Sequence, residues 1–239
     1  MSTPAAGSTT GKRKALLLIG SPKGSKSTSR VLGAHLMRKL DAGGMDTVEM
    51  TVAAALQSTQ NQHQMHKAVD ASELVVISFP LYIDQLPAPL VQTLELIADR
   101  RKGKLPASPV AGPGIQRIAA VVQCGFPETR QNQPAIDIIR QFAREAGFEW
   151  AGALAMGMGG AVAGKPLDKA GGMVRNVVKA LDLAAAALLD GRDVPPEATQ
   201  LMGRRLMPAW LYTFMGDRGM KRSAKRHGAL GRTHDRPYE

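Results

Sequence analysis

Short apolar runs without polar breaks constrain this chain most. Residues 15–20 (ALLLIG), 74–79 (LVVISF) and 118–122 (IAAVV) are apolar at nearly every position, not at alternate positions. A strand with one wet face alternates, whereas a strand covered on both faces has no place for a polar side. Runs of this length bounded by Gly or Pro therefore read as strands of a parallel sheet, sandwiched between helices.

Helical stripes fill the intervals. Ser27, Thr28 or Ser29 is placed to cap a helix in which Leu32, Leu36 and Leu40 recur every four residues until Gly43 and Gly44 stop it. Residues 47–52 form an expected second strand, followed by a weaker helix over 62–71. Leu90, Val91, Leu94, Ile97 and Ala98 share one face of a helix whose first turn accepts Pro89. Ile136, Ile139, Phe142, Ala143 and Ala146 make the next stripe, closed by Gly147, and residues 150–156 supply a fifth strand. Val174, Val177, Val178, Leu181, Ala185 and Leu188 complete a last helix that ends at Gly191. Five strands alternating with five helices imply an α/β fold, a doubly wound five-stranded parallel sheet with helices on both faces, because right-handed crossovers distribute the helices that way. The expected organisation is a flexible basic arm over 1–13, a folded domain over 14–191 and a basic, helical C-terminal extension over 192–239.

At 239 residues the chain buries roughly 70% of its unfolded surface and needs no staples. The single Cys124 excludes intramolecular disulfides and multi-cysteine zinc or iron–sulfur sites and suits a reducing compartment. With no apolar run near ~20 residues and a start lacking a signal-peptide pattern, the expectation is a cytoplasmic protein without a membrane span. The net charge of +11 sits at the ends: residues 1–30 hold six basic and no acidic side chains, and 201–239 hold nine basic and three acidic ones. Such ends attract anions in general, but solvated tails account for them, and no nucleic-acid partner is expected.

In open parallel sheets ligands bind beyond the carboxyl ends of the strands. The first such loop, GSPKGSKSTS, has Ser21, Ser25, Ser27, Thr28, Ser29 and the lysines Lys23 and Lys26 around a helix start, where backbone N–H groups and the helix dipole favour a phosphate. It nearly matches the nucleotide-binding G-x-x-x-x-G-K-[ST] pattern, but Ser25 replaces the second Gly and neither later strand ends in an acidic residue for magnesium. A phosphomonoester fits better. The second loop, PLYIDQLPAP, combines Pro80, Leu81, Tyr82, Ile83 and Asp84 with further prolines, a setting for a planar ring whose polar edge meets unpaired main-chain groups. In the third, Gly125 allows close approach and Phe126 could cover another ring edge; Cys124 reads as a small buried hydrophobe. Residues 157–164 read as a mobile flap or a plain connection. His63 and His66 lack a third ligand, so no metal site is expected. Trp210, Leu211, Phe214 and Met215, followed by Lys221, Arg222, Lys225 and Arg226, describe a helix that lies on an anionic membrane or, better, packs on its own subunit or a neighbour's.

On GSPKGSKSTS, SFPLYIDQLPAPL and CGFPETRQNQPAIDIIRQFAREAGFEWAGALAMGMGG, the chain resembles the flavodoxin-like NAD(P)H-dependent FMN reductases, in the branch related to iron–sulfur flavoproteins but without their cysteine cluster. The similarity spans residue 14 to about 189; residues 207–238 also resemble the extension of some members. It implies FMN held without a covalent bond, with Ser21, Lys23, Ser27, Thr28 and Ser29 around the phosphate. Pro80 to Asp84 would lie beside the ring system, bounded on its other side by Gly125 and Phe126. It implies NAD(P)H as electron donor, a small acceptor such as a quinone or flavin, and homodimers or homotetramers in which a second subunit helps close the site. Arg130, Gln131 and Asn132 stand where relatives often have a His, and no acid–base catalytic residue is assigned. The alternatives are an electron carrier serving a protein redox partner and a flavin-free binding protein that uses the basic tail.

Overall fold

The computed structural model describes residues 12–103, 115–162 and 164–236; most of the expected N-terminal arm, Ala163 and the final residues Pro237, Tyr238 and Glu239 lie outside the described residues. Strands β1 (Lys14–Ile19), β2 (Asp46–Thr51), β3 (Leu74–Pro80), β4 (Arg117–Gln123) and β5 (Glu149–Met156) pair in parallel in the order β2-β1-β3-β4-β5. The helices are α1 (Thr28–Ala42), α2 (Val52–Ala55), α3 (Thr59–Ala71), α4 (Ala88–Lys102), α5 (Gln133–Glu145), α6 (Gly159–Val162), α7 (Arg175–Leu189), α8 (Pro196–Met202) and α9 (Ala209–Arg226).

Side chains leave a strand on alternate faces, so a run that is apolar throughout feeds two cores at once. In β1, Ala15, Leu17 and Ile19 enter a core shared with α1, α7 and α8, while Leu16 and Leu18 enter the opposite one with α3, α4 and α5. All seven residues of β3 are buried. The edge strand β2 is largely exposed, in keeping with its mixed sequence DTVEMT. The other edge is covered. A bulge between Ile118 and Ala119 displaces the β5 register, Gly152 takes φ +108° beside it, and the Val194 N–H donates to the Ala151 carbonyl, which blunts the open edge.

Each predicted strand lies within one residue of its place. Ser27 is the cap of α1: its Oγ accepts from the Arg30 N–H at 3.1 Å. Two expectations change. Ala198, Leu201 and Met202 of α8 are buried in the α1–α7 core, so the folded unit runs past residue 191. The tail helix α9 does form, but none of its residues is fully buried, and its contact with its own subunit is light: Leu211 and Tyr212 are half-buried while Trp210, Phe214 and Met215 stay exposed.

Helix α1 comes close enough to the sheet that Gly33 has no room for a side chain. A Cβ there would stand 2.7 Å from Leu17 Cδ1 and 3.1 Å from Ser78 Cβ. Gly33→Val should destabilise the fold by about 1–3 kcal/mol through overpacking, read as a lower urea midpoint at unchanged slope; an unchanged midpoint would contradict this packing.

Candidate functional site

The strand order reverses direction between β1 and β3, and the loops leaving their carboxyl ends part there. A cavity of about 420 Å³ opens at this point, in the range of cofactor sites. One end is lined by Ser21, Lys23, Lys26, Ser27 and Thr28, and the other by Pro80, Leu81, Tyr82, Gln123, Gly125, Gly159 and Gly160.

The hydroxyls of the first loop are largely spent on building it. Ser21 Oγ accepts from the Lys23 N–H at 3.3 Å, and Ser27 Oγ donates to the Gly24 carbonyl at 2.8 Å while capping α1. Thr28 Oγ1 donates to the Gly159 carbonyl and accepts from the Gly164 N–H, both at 3.2 Å, and so ties the start of α1 to the loop after β5. Ser29 is fully buried with its Oγ unpartnered among the described residues and is not in the cavity wall; its carbonyl accepts from Ser78 Oγ at 2.7 Å. What remains available to an anion is different. Among the described residues Lys23 and Lys26 are in no ion pair. The N–H groups of Thr28 and Ser29, in the first turn of a 15-residue helix, have no partner four residues back inside it.

In the second loop, Tyr82 and Gln85 exchange backbone hydrogen bonds at 2.9 and 3.0 Å around a two-residue turn in which Ile83 and Asp84 take φ +49° and +58°. Such left-handed values are costly for a β-branched residue. The unpaired main-chain groups expected along this loop are therefore partly paired, and Ile83, 97% exposed, and Asp84 stand outside the cavity wall. Pro80, Leu81 and Tyr82 do line it.

The loops after β4 and β5 are laced together. Cys124 N–H donates to the Met156 carbonyl, Gly159 N–H to the Cys124 carbonyl and Met158 N–H to the Phe126 carbonyl. Gly159 lies so close to Gln123 that a Cβ would stand 1.6 Å from Gln123 Oε1. At Gly164, φ +72°, a Cβ would stand 2.2 Å from the Lys26 carbonyl. The described part of the expected flap is thus held at both ends. Gly125 lines the cavity, Phe126 does not, and Asn132 is buried with its Nδ2 donating to the Thr129 and Met156 carbonyls.

Two features escaped the sequence reading, one in the cavity wall and one behind it. Gln123 is the polar residue that ends the apolar run of β4, which places it where ligands bind in this fold. Tyr212 of α9 donates from Oη to the Gly125 carbonyl at 2.9 Å, and a Cβ at Gly160 would stand 2.9 Å from that oxygen. Burial pushes this hydroxyl above the ordinary tyrosine range, against the opposite pull of the Gly160 backbone, so it stays a neutral donor. Its sequence signal was an aromatic hydroxyl inside the apolar half of the tail helix. His63 and His66 both lie on α3, and the described residues hold no cluster of three or more potential metal ligands.

The fold has parallels among solved structures. The Trp repressor binding protein from Bacillus subtilis aligns over 70% of this chain and 98% of its own at 11% identity, with a TM-score of 0.51. An FMN-dependent NADH-azoreductase from Bacillus anthracis, solved with FMN, aligns over 74% and 99% at 13% identity and 0.49. An oxidoreductase from Corynebacterium diphtheriae aligns over 80% and 98% at 10% and 0.49. The first of these supports the flavodoxin-like fold and no more, since identity is this low. No protein-family model and no curated protein matches the chain. No helix among the described residues is long and apolar enough to cross a membrane.

Cys124, beside the cavity, is almost fully buried. Burial raises its thiol above the ordinary range, outweighing the hydrogen bonds with the Phe126 carbonyl and the Asn132 amide. The reactive thiolate is thereby scarce near neutrality. Labelling by a disulfide reagent should be negligible in the native protein over a time that labels the urea-unfolded chain completely, and still slower than in the unfolded chain at pH 9; equal rates would contradict this burial.

Proposed function

We propose that the chain is an FMN-binding oxidoreductase that takes electrons from NAD(P)H and passes them to a small acceptor such as a quinone or a free flavin. The observation that carries this is the cavity at the β1–β3 switch point, with a helix start and two lysines that are in no ion pair among the described residues at one end, and an apolar, glycine-backed wall at the other.

The donor set fits the cofactor. Lys23, Lys26 and the first turn of α1 supply charge-assisted bonds for a terminal phosphate. Ser21, Ser27 and Thr28 support this end by shaping the loop, so their proposed part is one of position more than of direct donation. Pro80, Leu81 and Tyr82 offer apolar and aromatic surface to a flat ring. Gly125, Gly159 and Gly160 carry no side chain that would fill the space, and Gln123 brings an amide to the ring's polar edge. When bound, FMN supplies hydride acceptance and electron relay. The residues lining the cavity include no carboxylate, histidine or thiol, so the protein's work is orientation, exclusion of water and electrostatic tuning. Ser29, Ile83, Asp84 and Phe126 act, in this reading, behind or outside the wall.

The test is the visible spectrum of protein supplemented with FMN and desalted, read again after adding NADH or NADPH without oxygen. Retained flavin that bleaches is the expected result; retained flavin that stays oxidised would point to a carrier, and no retained flavin would overturn the reading. Lys23→Ala and Lys26→Ala together should weaken FMN binding by about 10–100-fold, the scale of a lost charge-assisted bond. The loss should shrink as salt is raised, and urea stability should stay unchanged.

A further inference from the structure

Helix α9 and a groove on the opposite side of the sheet have matching, unsatisfied chemistry. The apolar half of α9 leaves Trp210 70% and Phe214 58% exposed, with Met215 beside them. Its second half carries Arg218, Lys221, Arg222, Lys225 and Arg226 against a single Asp217, and none of the five is in an ion pair among the described residues. Tyr212 ties the first half of the helix to Gly125, but its bare aromatics and its basic half gain nothing from that contact.

The groove runs between α4 and α5 and has a volume of about 440 Å³. Its floor is apolar: Val91, Leu94, Ile138 and Phe142, of which Val91 and Ile138 are exposed. Glu95, Asp99 and Glu145 stand along it against one cation, Lys102. Glu95 and Asp99 have no ion-pair partner among the described residues. Val91 shares an apolar stripe with Leu90 and Leu94, yet no described element covers it.

We propose that α9 of one copy docks into the α4–α5 groove of a second copy, with the exchange made in both directions. Trp210 and Phe214 meet the apolar floor, and the basic half of the helix runs along Glu95 and Asp99. Charge complementarity selects this occupant, because among the described residues neither Glu95 and Asp99 nor the five cations of α9 have an ion-pair partner. The topology favours a partner's groove over the chain's own: α8, which leads into α9, is packed in the α1–α7 core, while the groove belongs to the α3–α4–α5 layer across the sheet. An aromatic side chain buries roughly 150–250 Å². Two reciprocal arms, with two aromatics each, thus cover a large part of the about 1,600 Å² of a standard interface. The inference does not depend on flavin binding.

The test uses full-length protein with Cys124→Ser, so that each variant has one thiol. Phe214→Cys on α9 and Ala98→Cys in the groove are mixed under mild oxidation; a disulfide-linked heterodimer is expected, faster than either variant forms alone. A double variant that links only within one chain would overturn the proposal in favour of self-docking. Charge supplies the independent readout. Lys221→Glu with Lys225→Glu should raise the dimer dissociation constant at least tenfold in sedimentation. Glu95→Lys with Asp99→Lys should do the same, and mixing the two variants should restore association in part. A monomer at all accessible concentrations, or a dimer indifferent to both charge reversals, would overturn it. So would a monomer whose α9 binds phosphatidylserine vesicles, which would make a membrane the partner.

Discussion

A strand buried on both faces has no water for its backbone or side chains, and that constraint organises this molecule. β1 and β3 satisfy it by pairing with parallel neighbours on each side and accepting a helical layer above and below. Parallel strands all end at the same edge of the sheet, so the loops after β1, β3, β4 and β5 converge without any further device. The reversal of strand order between β1 and β3 then spreads the first two loops apart and leaves the cavity. Thr28 closes the arrangement from the other side: one hydroxyl joins the start of α1 to Gly159 and Gly164, and so holds the lysine-bearing loop at a set distance from the glycine-rich one.

The strands were legible because burial on both faces forces an apolar residue at nearly every position, a pattern that survives in sequence. Boundaries shifted by single residues where polar side chains such as Lys14, Asp46 and Arg117 still join the ladder with their backbones. The short α2, α6 and α8 were not legible, since one or two turns leave too few repeats to show a period. α9 was legible as a helix, but its setting was not: exposure of Trp210 and Phe214 is a matter of where the preceding chain leaves it, which local pattern does not encode.

The site was legible at the level of loops and less so at the level of atoms. Hydroxyl-rich composition around a helix start pointed to phosphate, yet the bonds of Ser21, Ser27 and Thr28 within the protein are set by loop geometry that no spacing rule gives. The two-residue turn at Ile83 and Asp84 was hidden for a related reason, because left-handed backbone is usually announced by Gly or Asn and here is not. Tyr212 lies 87 residues beyond Gly125 in sequence, and only the folded chain brings its hydroxyl to that carbonyl.

The central claim is that Lys23, Lys26 and the start of α1 form a phosphate cradle for a flavin nucleotide, and it can be tested by titrating the same protein with FMN and with riboflavin. The two ligands share a ring system and differ by the phosphate. The account predicts FMN binding tighter than riboflavin by about 10–100-fold at low salt, with the gap narrowing as ionic strength rises. Equal affinity for both, or binding of neither, would contradict it.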